Sequence, residues 1–314
     1  MKANEREQPA QLLLMTPIRR LEDEAADLGV GHQAGQPRLL VDVRGIDELE
    51  QVTDSKGSVI FGSCITHATI EDGDVPDIYI AMGQTAENVV QAEGVSRQEM
   101  DEWGARSQQR AVESQENGFF EREISPYTLP DGTVVSKDDG PRPGTTVEKL
   151  AELKPVFRPD GKVTAGNACP LNDGAAAVIV MSDTKAKELG ITPLARIVSS
   201  GVTGLNPEIM GLGPIEAIRQ ALGRANKTVD DIDLFEINEA FAAQVVPSAK
   251  TLGIPYEKLN TRGGAIAIGH PFGMTGARIM TTLLNGLEDA DKEWGVESMC
   301  VGGGQGMAMI VERV

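Results

Sequence analysis

The sequence predicts a layered α/β fold built on a mixed β-sheet. Three observations carry this expectation. Strand-like and helix-like runs alternate from Asn172 onward, the chain closes on two strand-like runs joined through glycines, and no stretch reaches the roughly 18 apolar residues of a membrane span. The 314 residues have room for one large or two ordinary domains with a real core.

The elements follow in chain order. Residues 1–37 are polar and Gln/Glu-rich, with one weak helical stretch from Leu12 to Leu28, and are expected to form a poorly ordered arm. Residues 38–77 read as a small αβ fragment: RLLVDV a strand, GIDELEQV a turn with a brief helix, SVIFGSCIT a second strand. From residue 78 to 170 the texture changes. Ser96 and Glu99 form an S-x-x-E capping box, after which Met100, Trp103 and Ala111 fall on one face of a helix to about Glu116. Residues 118–168, rich in Pro, Gly and Asp, form an extended excursion with one short helix from Val147 to Leu153, a length that is usually functional or disordered.

Residues 171–314 are regular. DGAAAVIVMS predicts a buried strand, Thr184 to Leu189 a helix closed by Gly190, and ARIVSSGV another strand. Pro214 suits the first position of a helix in which Ile215, Ile218, Leu222 and Ala225 recur at helical spacing. DIDLFEI predicts a strand and Glu239 to Leu252 a helix. A Gly-rich turn, a helix from Thr275 to Leu287 and the strands ESMCVG and MAMIVERV complete the chain.

With 47 acidic against 29 basic residues the net charge is −18. This disfavours nucleic acid and anionic lipid as partners. It leaves room for an anionic small molecule, because a few local donors bind phosphate whatever the global sum. Cys64, Cys169 and Cys300 are odd in number and far apart, which predicts free thiols and a reducing compartment. No signal-peptide pattern opens the sequence, so the expected location is cytoplasmic. No metal-ligand cluster is expected.

Three short motifs stand at strand ends or in Gly-rich turns, where a rigid sheet aims side chains into one pocket: Asn238-Glu239-Ala240-Phe241, Gly269-His270-Pro271 and Cys300-Val301-Gly302. Singly each is weak. An Asn before a helix is ordinarily an N-cap, a lone His is usually structural, and a Cys beside a strand is usually core. Together they weigh more: Gly269 and Pro271 fix the backbone around His270, and Cys300 precedes Gly302, Gly303, Gly304 and Gly306, more glycine than a plain hairpin needs.

NEAF, GGAIAIGHPFGMTGAR and CVGGGQG, in this order, resemble the three C-terminal signatures of thiolases. The resemblance extends upstream through MGQTAENV (82–89), the helix after Ser96, KPVF, TAGNA and LNDGAAA, and so covers residues 78–314. It is similar in character to bacterial acetyl-CoA acyltransferases of fatty-acid or sterol degradation. It implies a thiolase-like layered fold with residues 78–170 as a loop domain and 171–314 as a C-terminal domain. It also implies cleavage of 3-ketoacyl-CoA by coenzyme A, or the reverse Claisen condensation, through an acyl-enzyme on an N-terminal cysteine.

On this resemblance His270 would activate that thiol and help form an oxyanion hole. Asn238 would hold a water donating to the thioester oxygen, Cys300 would move a proton, and the Gly302 N–H would serve a second oxyanion hole. Coenzyme A would lie against Met82, Arg142, Leu153, Phe157, Ala165, Ala168, Cys169, Leu171, Ala240 and Phe241. Most of these form apolar walls, with Arg142 as a base or phosphate partner. Cys169 stands where the family commonly has serine, and Ala81 where it often has histidine. Acyl-CoA and coenzyme A are the implied partners, and a homodimer or homotetramer the implied assembly. Coenzyme A enters as substrate, and no resident cofactor is implied.

A thiolase has two similar halves, and the nucleophile lies in a C-x-S-G motif of the first. Residues 1–77 lack that motif, so the N-terminal half reads as incomplete and activity as impaired; the alternative is a non-catalytic remnant that binds coenzyme A. A third reading lets Cys300 with His270 act alone as a slow thioesterase. Cys64 and His67 in GSCITH could be read as a reactive pair, though their spacing after a strand more often marks a loop. The segment 38–76 also resembles part of the FAD-binding medium subunit of molybdenum hydroxylases. The preceding Gly-rich flavin motif of that family is not present, so FAD is not expected to bind.

Overall fold

The computed structural model describes residues 80–314 and three short strands before them, 11–14, 52–55 and 58–61. Cys64, His67 and the expected strand at 38–43 lie outside the described residues.

One six-stranded sheet organises the described residues. Its members are β1 (Gln11–Leu14), β6 (Ile179–Ser182), β7 (Ala195–Gly204), β8 (Leu234–Ile237), β9 (Trp294–Val301) and β10 (Gln305–Arg313), in the order β6-β1-β7-β10-β9-β8. The pairs β10/β7 and β10/β9 are antiparallel, while β8 and β9 run parallel, so the sheet is mixed as the sequence predicts. Two small hairpins stand apart: β2 (Val52–Ser55) with β3 (Ser58–Phe61), and β4 (Tyr127–Thr128) with β5 (Val134–Val135).

Eight α-helices lie among the described residues. They are α1 (Met82–Glu93), α2 (Arg97–Glu116), α3 (Val147–Ala151), α4 (Asp183–Leu189), α5 (Gly213–Ala225), α6 (Ala242–Leu252), α7 (Ala265–Ile268) and α8 (Thr275–Asp289). None is long and apolar enough to cross a membrane. The capping box at the start of α2 forms as expected: Ser96 accepts from the Glu99 N–H while Glu99 accepts from the Ser96 N–H. Met100, Trp103 and Ala111 are buried on its inner face. Pro214 lies in the first turn of α5, whose Ile215, Ile218 and Leu222 enter the main core beside Phe235, Ile237, Val296 and Ile310. A second core cluster joins Met280, Leu283, Leu284 and Leu287 of α8 to Ala195 and Val311. The sheet is thus clamped between α5 and α8, which leaves its strand ends free to carry side chains.

The structure corrects three expectations. Leu12 to Leu14 are strand, not helix, paired with both β6 and β7; a short apolar run does not distinguish the two, and here neighbouring strands supply the bonding partners. DGAAAVIVMS contributes only Ile179–Ser182 to the sheet, and there it is half exposed, with Val180 outward. The helix expected from Glu239 begins three residues later. Residues 238–241 are instead held extended: Asn238 N–H donates to Ser298 O at 2.9 Å, Cys169 N–H donates to Ala240 O at 3.0 Å, and Ala168 pairs with Phe241. Sequence neighbours alone could not reveal this, because the partners come from two distant segments.

Candidate active site

Asn238 follows β8 and Cys300 is the penultimate residue of β9, so the parallel pairing of these strands sets the two side by side. Asn238 is fully buried, and neither its Oδ1 nor its Nδ2 has a hydrogen-bond partner among the described residues. It is no helix cap: Phe241 occupies the N-cap position of α6. A buried amide with both polar ends free costs several kcal/mol at about 1–3 kcal/mol per group, which calls for a polar partner beyond the described residues. Gln244 in α6 bridges the pair. Its Nε2 donates to Asn238 O at 2.8 Å, and its Oε1 accepts from the Cys300 thiol at 3.0 Å. Burial pushes the Cys300 thiol up to about 11, so it is a thiol, not a thiolate, at neutral pH.

His270 follows α7 and precedes α8. Gly269 before it has φ 93°, and a side chain there would collide with Asn172, whose Oδ1 accepts from the His270 N–H at 3.3 Å. The imidazole Nδ1 meets Thr275 Oγ1 at 2.6 Å, and the Phe272 ring stands edge-on at 5.0 Å. Desolvation first, and the positive charge of Arg278 second, hold His270 down to about 4, so the ring is neutral at pH 7. It faces a cavity of about 380 Å³ shared with Leu171, Asn172, Asp173, Pro271 and Phe272.

Glu239, a motif residue to which the sequence alone assigns no role, ties the site together. Its carboxylate accepts from Trp103 Nε1 (3.1 Å), Ser107 Oγ (2.5 Å), Asn260 Nδ2 (2.9 Å) and the Ile266 N–H (3.2 Å). One buried group therefore joins α2, the strand end carrying Asn238, and the short helix that delivers His270. Charged residues placed against a core are a sequence signal for such a hub, but only the fold names its partners.

The residues expected to line a ligand wall divide into two sets. Phe157 packs edge-on against Phe241 at 6.1 Å and lies against Gly83 beside Met82, and the Ala168/Phe241 and Cys169/Ala240 contacts extend this surface. Leu153 joins through its contact with Gly166, next to the exposed Ala165. Met82, Leu153 and Phe157 remain more than a third exposed, an apolar ledge open to solvent. The ledge is anchored from behind. Asp101 of α2 accepts from Asn167 Nδ2 at 2.9 Å, and Glu87 of α1 accepts from the Val163 N–H at 2.9 Å. Burial pushes the Cys169 thiol up to about 11. Leu171 and Arg142 are not part of the ledge. Leu171 is 96% exposed beside the His270 cavity. Arg142 is exposed and held by its N–H, which donates to Gln108 Oε1 at 2.7 Å. Gly302 sits exposed in the β9–β10 turn, with nothing within 4 Å of where a Cβ would project, so its surroundings are open to a ligand.

A larger cavity, about 660 Å³, lies next door and shares Asn172 and Asp173. It holds Glu123, Asp138 and Arg278 but none of Asn238, His270 and Cys300. Behind it the buried carboxyls of Glu236 and Glu297 are pushed up to about 8 by desolvation.

Comparison with known proteins places this arrangement. Residues 43–184 match the family model for the thiolase N-terminal domain, a match that begins upstream of Ile78, and residues 191–313 match the thiolase C-terminal domain. A probable acetyl-CoA acyltransferase of Staphylococcus epidermidis is 48% identical over 263 residues, which are 81% of this chain and 66% of the relative. The crystal structure of a Bacillus anthracis acetyl-CoA acetyltransferase superposes with a TM-score of 0.74 at 44% identity, over 84% of this chain and 68% of that one. The human mitochondrial 3-ketoacyl-CoA thiolase does so with the same TM-score at 40% identity and the same coverage. The chain thus spans about two thirds of the length of these proteins. With matches to both domains of one family in sequence order, and a shared fold at this level of identity, the chain belongs to the thiolase family.

Proposed function

We propose that this chain carries the acid–base and coenzyme-A-binding parts of a thiolase-type acyltransferase acting on 3-ketoacyl-CoA thioesters, in thiolysis or in the reverse condensation. The observation that carries the reading is Asn238: a fully buried amide with both polar ends unpartnered among the described residues, on a residue whose backbone carbonyl is linked through Gln244 to the Cys300 thiol. Such a group suits a water or thioester oxygen better than a purely structural role does. On this reading the neutral His270 accepts a thiol proton, Cys300 exchanges a proton with the substrate α-carbon or the coenzyme A sulfur, and the Gly302 N–H donates to a developing oxyanion. Met82, Leu153, Phe157, Ala165, Ala168 and Cys169 with Ala240 and Phe241 receive coenzyme A on the apolar ledge, while Leu171 borders the His270 cavity and Arg142 approaches the phosphates from outside the ledge. Residues 78–170 serve as the loop domain and 171–314 as the C-terminal domain, and family members' assemblies suggest a dimer or tetramer.

A second reading, coenzyme A binding without turnover, draws on a specific observation. The described cysteines are Cys169 and Cys300, and desolvation pushes both thiols up to about 11. Neither is a ready nucleophile at neutral pH. Intact-mass analysis after incubation with acetyl-CoA separates the two. A covalent acetyl adduct on a cysteine, removed by added coenzyme A, supports acyl transfer. Saturable binding of coenzyme A with no adduct selects the binding-only reading, and neither result refutes both.

A further inference from the structure

The hydrogen bonds around Thr275 decide which nitrogen of His270 carries the ring proton. Thr275 is the first residue of α8 and is fully buried, so solvent does not compete for its hydroxyl. Its Oγ1 lies 2.9 Å from the carbonyl oxygen of Pro271, which can only accept. Given to Pro271 O, the single hydroxyl proton satisfies that contact and leaves the shorter one to a proton from His270 Nδ1; given to Nδ1, it would leave two oxygens facing each other at 2.9 Å. In the first case what Thr275 Oγ1 has left is lone pairs, and these face His270 Nδ1 at 2.6 Å. The arrangement that satisfies both contacts is the one in which Nδ1 supplies the proton to Thr275 Oγ1 and Thr275 Oγ1 donates to Pro271 O.

From this proton accounting we infer that Thr275 is a positioning residue that locks His270 in the Nδ1–H tautomer and leaves Nε2 bare toward the site. The Asn172 contact at the His270 N–H fixes the backbone beneath the ring, and the edge-on Phe272 ring packs against the imidazole itself. The ring is neutral at pH 7, so the question of tautomer is a real one over the working range.

The inference rests on the acyl-transfer reading and deepens it. When Nε2 takes the proton of a thiol, the S–H bond breaks, its electron pair stays on sulfur, and an N–H bond forms at Nε2. The resulting imidazolium keeps its Nδ1–H on Thr275 and gains an Nε2–H facing the reacting carbonyl. One nitrogen thereby acts first as base and then as oxyanion donor, with no rotation of the ring. An Nε2–H tautomer could do neither in that order.

The test is long-range ¹H–¹⁵N correlation on uniformly ¹⁵N-labelled protein at pH 7. It distinguishes protonated from bare ring nitrogens in each of the three histidines, with His270→Asn assigning the relevant signals. The expected wild-type pattern is Nδ1–H. Thr275→Ser, which keeps the hydroxyl, retains it, and Thr275→Val, which keeps the shape, loses it in favour of Nε2–H or an exchanging mixture. A wild-type Nε2–H pattern overturns the inference, as does an unchanged Nδ1–H pattern in folded Thr275→Val. If Thr275→Val does not fold, the wild-type and Thr275→Ser spectra still decide. None of these spectra requires turnover. Absence of acylation with the Nδ1–H pattern intact would defeat the acyl-transfer reading alone.

Discussion

Replacing Glu239 by glutamine should destabilise the protein by about 3 kcal/mol, and the figure follows from who faces the carboxylate. Trp103 Nε1 and Asn260 Nδ2 donate to one oxygen, Ser107 Oγ and the Ile266 N–H to the other. An amide NH₂ placed at the first oxygen would meet two donors that cannot reverse. Placed at the second, it can donate to Ser107 Oγ, but the Ile266 N–H is left buried without an acceptor, at about 1–3 kcal/mol. The remaining three bonds fall from charge-assisted to neutral, at roughly 0.5–1 kcal/mol each. Relief of carboxylate desolvation offsets about 1 kcal/mol of this. Urea unfolding of Glu239→Gln should therefore show a lower midpoint at unchanged slope. Trp103 fluorescence should report the loss no later than far-ultraviolet circular dichroism does. A midpoint within about 0.5 kcal/mol of wild type would refute the hub.

Two further outcomes follow from the structure. Desolvation pushes Glu236 and Glu297 up to about 8 and Glu123 up to about 7, above the ordinary value of 4.5. The native state then holds protons that the unfolded chain has released, so stability is fully present below about pH 4.5 as far as these groups are concerned and falls as pH rises toward 8. Unfolding midpoints at pH 5.5 and pH 8 check the sign, and equal or rising stability would contradict it. Gly263→Ala should cost at least about 2 kcal/mol, because a side chain is strained in this left-handed conformation and its Cβ would clash with close-packed neighbours. Gly263 has φ 84°, and a Cβ there would sit 2.7 Å from Ala111 N and Ser107 O of α2. A thermal melt matching wild type would show that the two backbones are not in contact.

Much of this was legible in the sequence where the cause is local. Ser96 and Glu99 announce the start of α2, Pro214 the first turn of α5, and the glycines after Cys300 the final hairpin, because caps and turns depend on residues within a few positions of one another. The motif residues Asn238, His270 and Cys300 also stood out. What sequence could not supply was the long-range partner. Asn238 resembles an N-cap until Ser298 and Cys169 are seen to hold its segment extended. Gln244 and Glu239 look like ordinary helix-start residues until the fold brings Cys300, Trp103 and Asn260 to them. Thr275 gains its role only because Pro271 O lies one helical turn back along the chain and claims its proton. The apolar run before Ser182 looks buried in the sequence but is half exposed in the fold, because composition reports affinity for a core, not whether another layer covers it.

The β4–β5 hairpin has a practical consequence. Tyr127, Val134 and Val135 are exposed, and Gly132 at its turn has nothing within 4 Å of where a side chain would point. Between Asp131 and Gly132 the chain could accept a reporter peptide or a fluorophore attachment point. Such a handle would let the protein be followed in solution while leaving Asn238, His270 and Cys300 as they are.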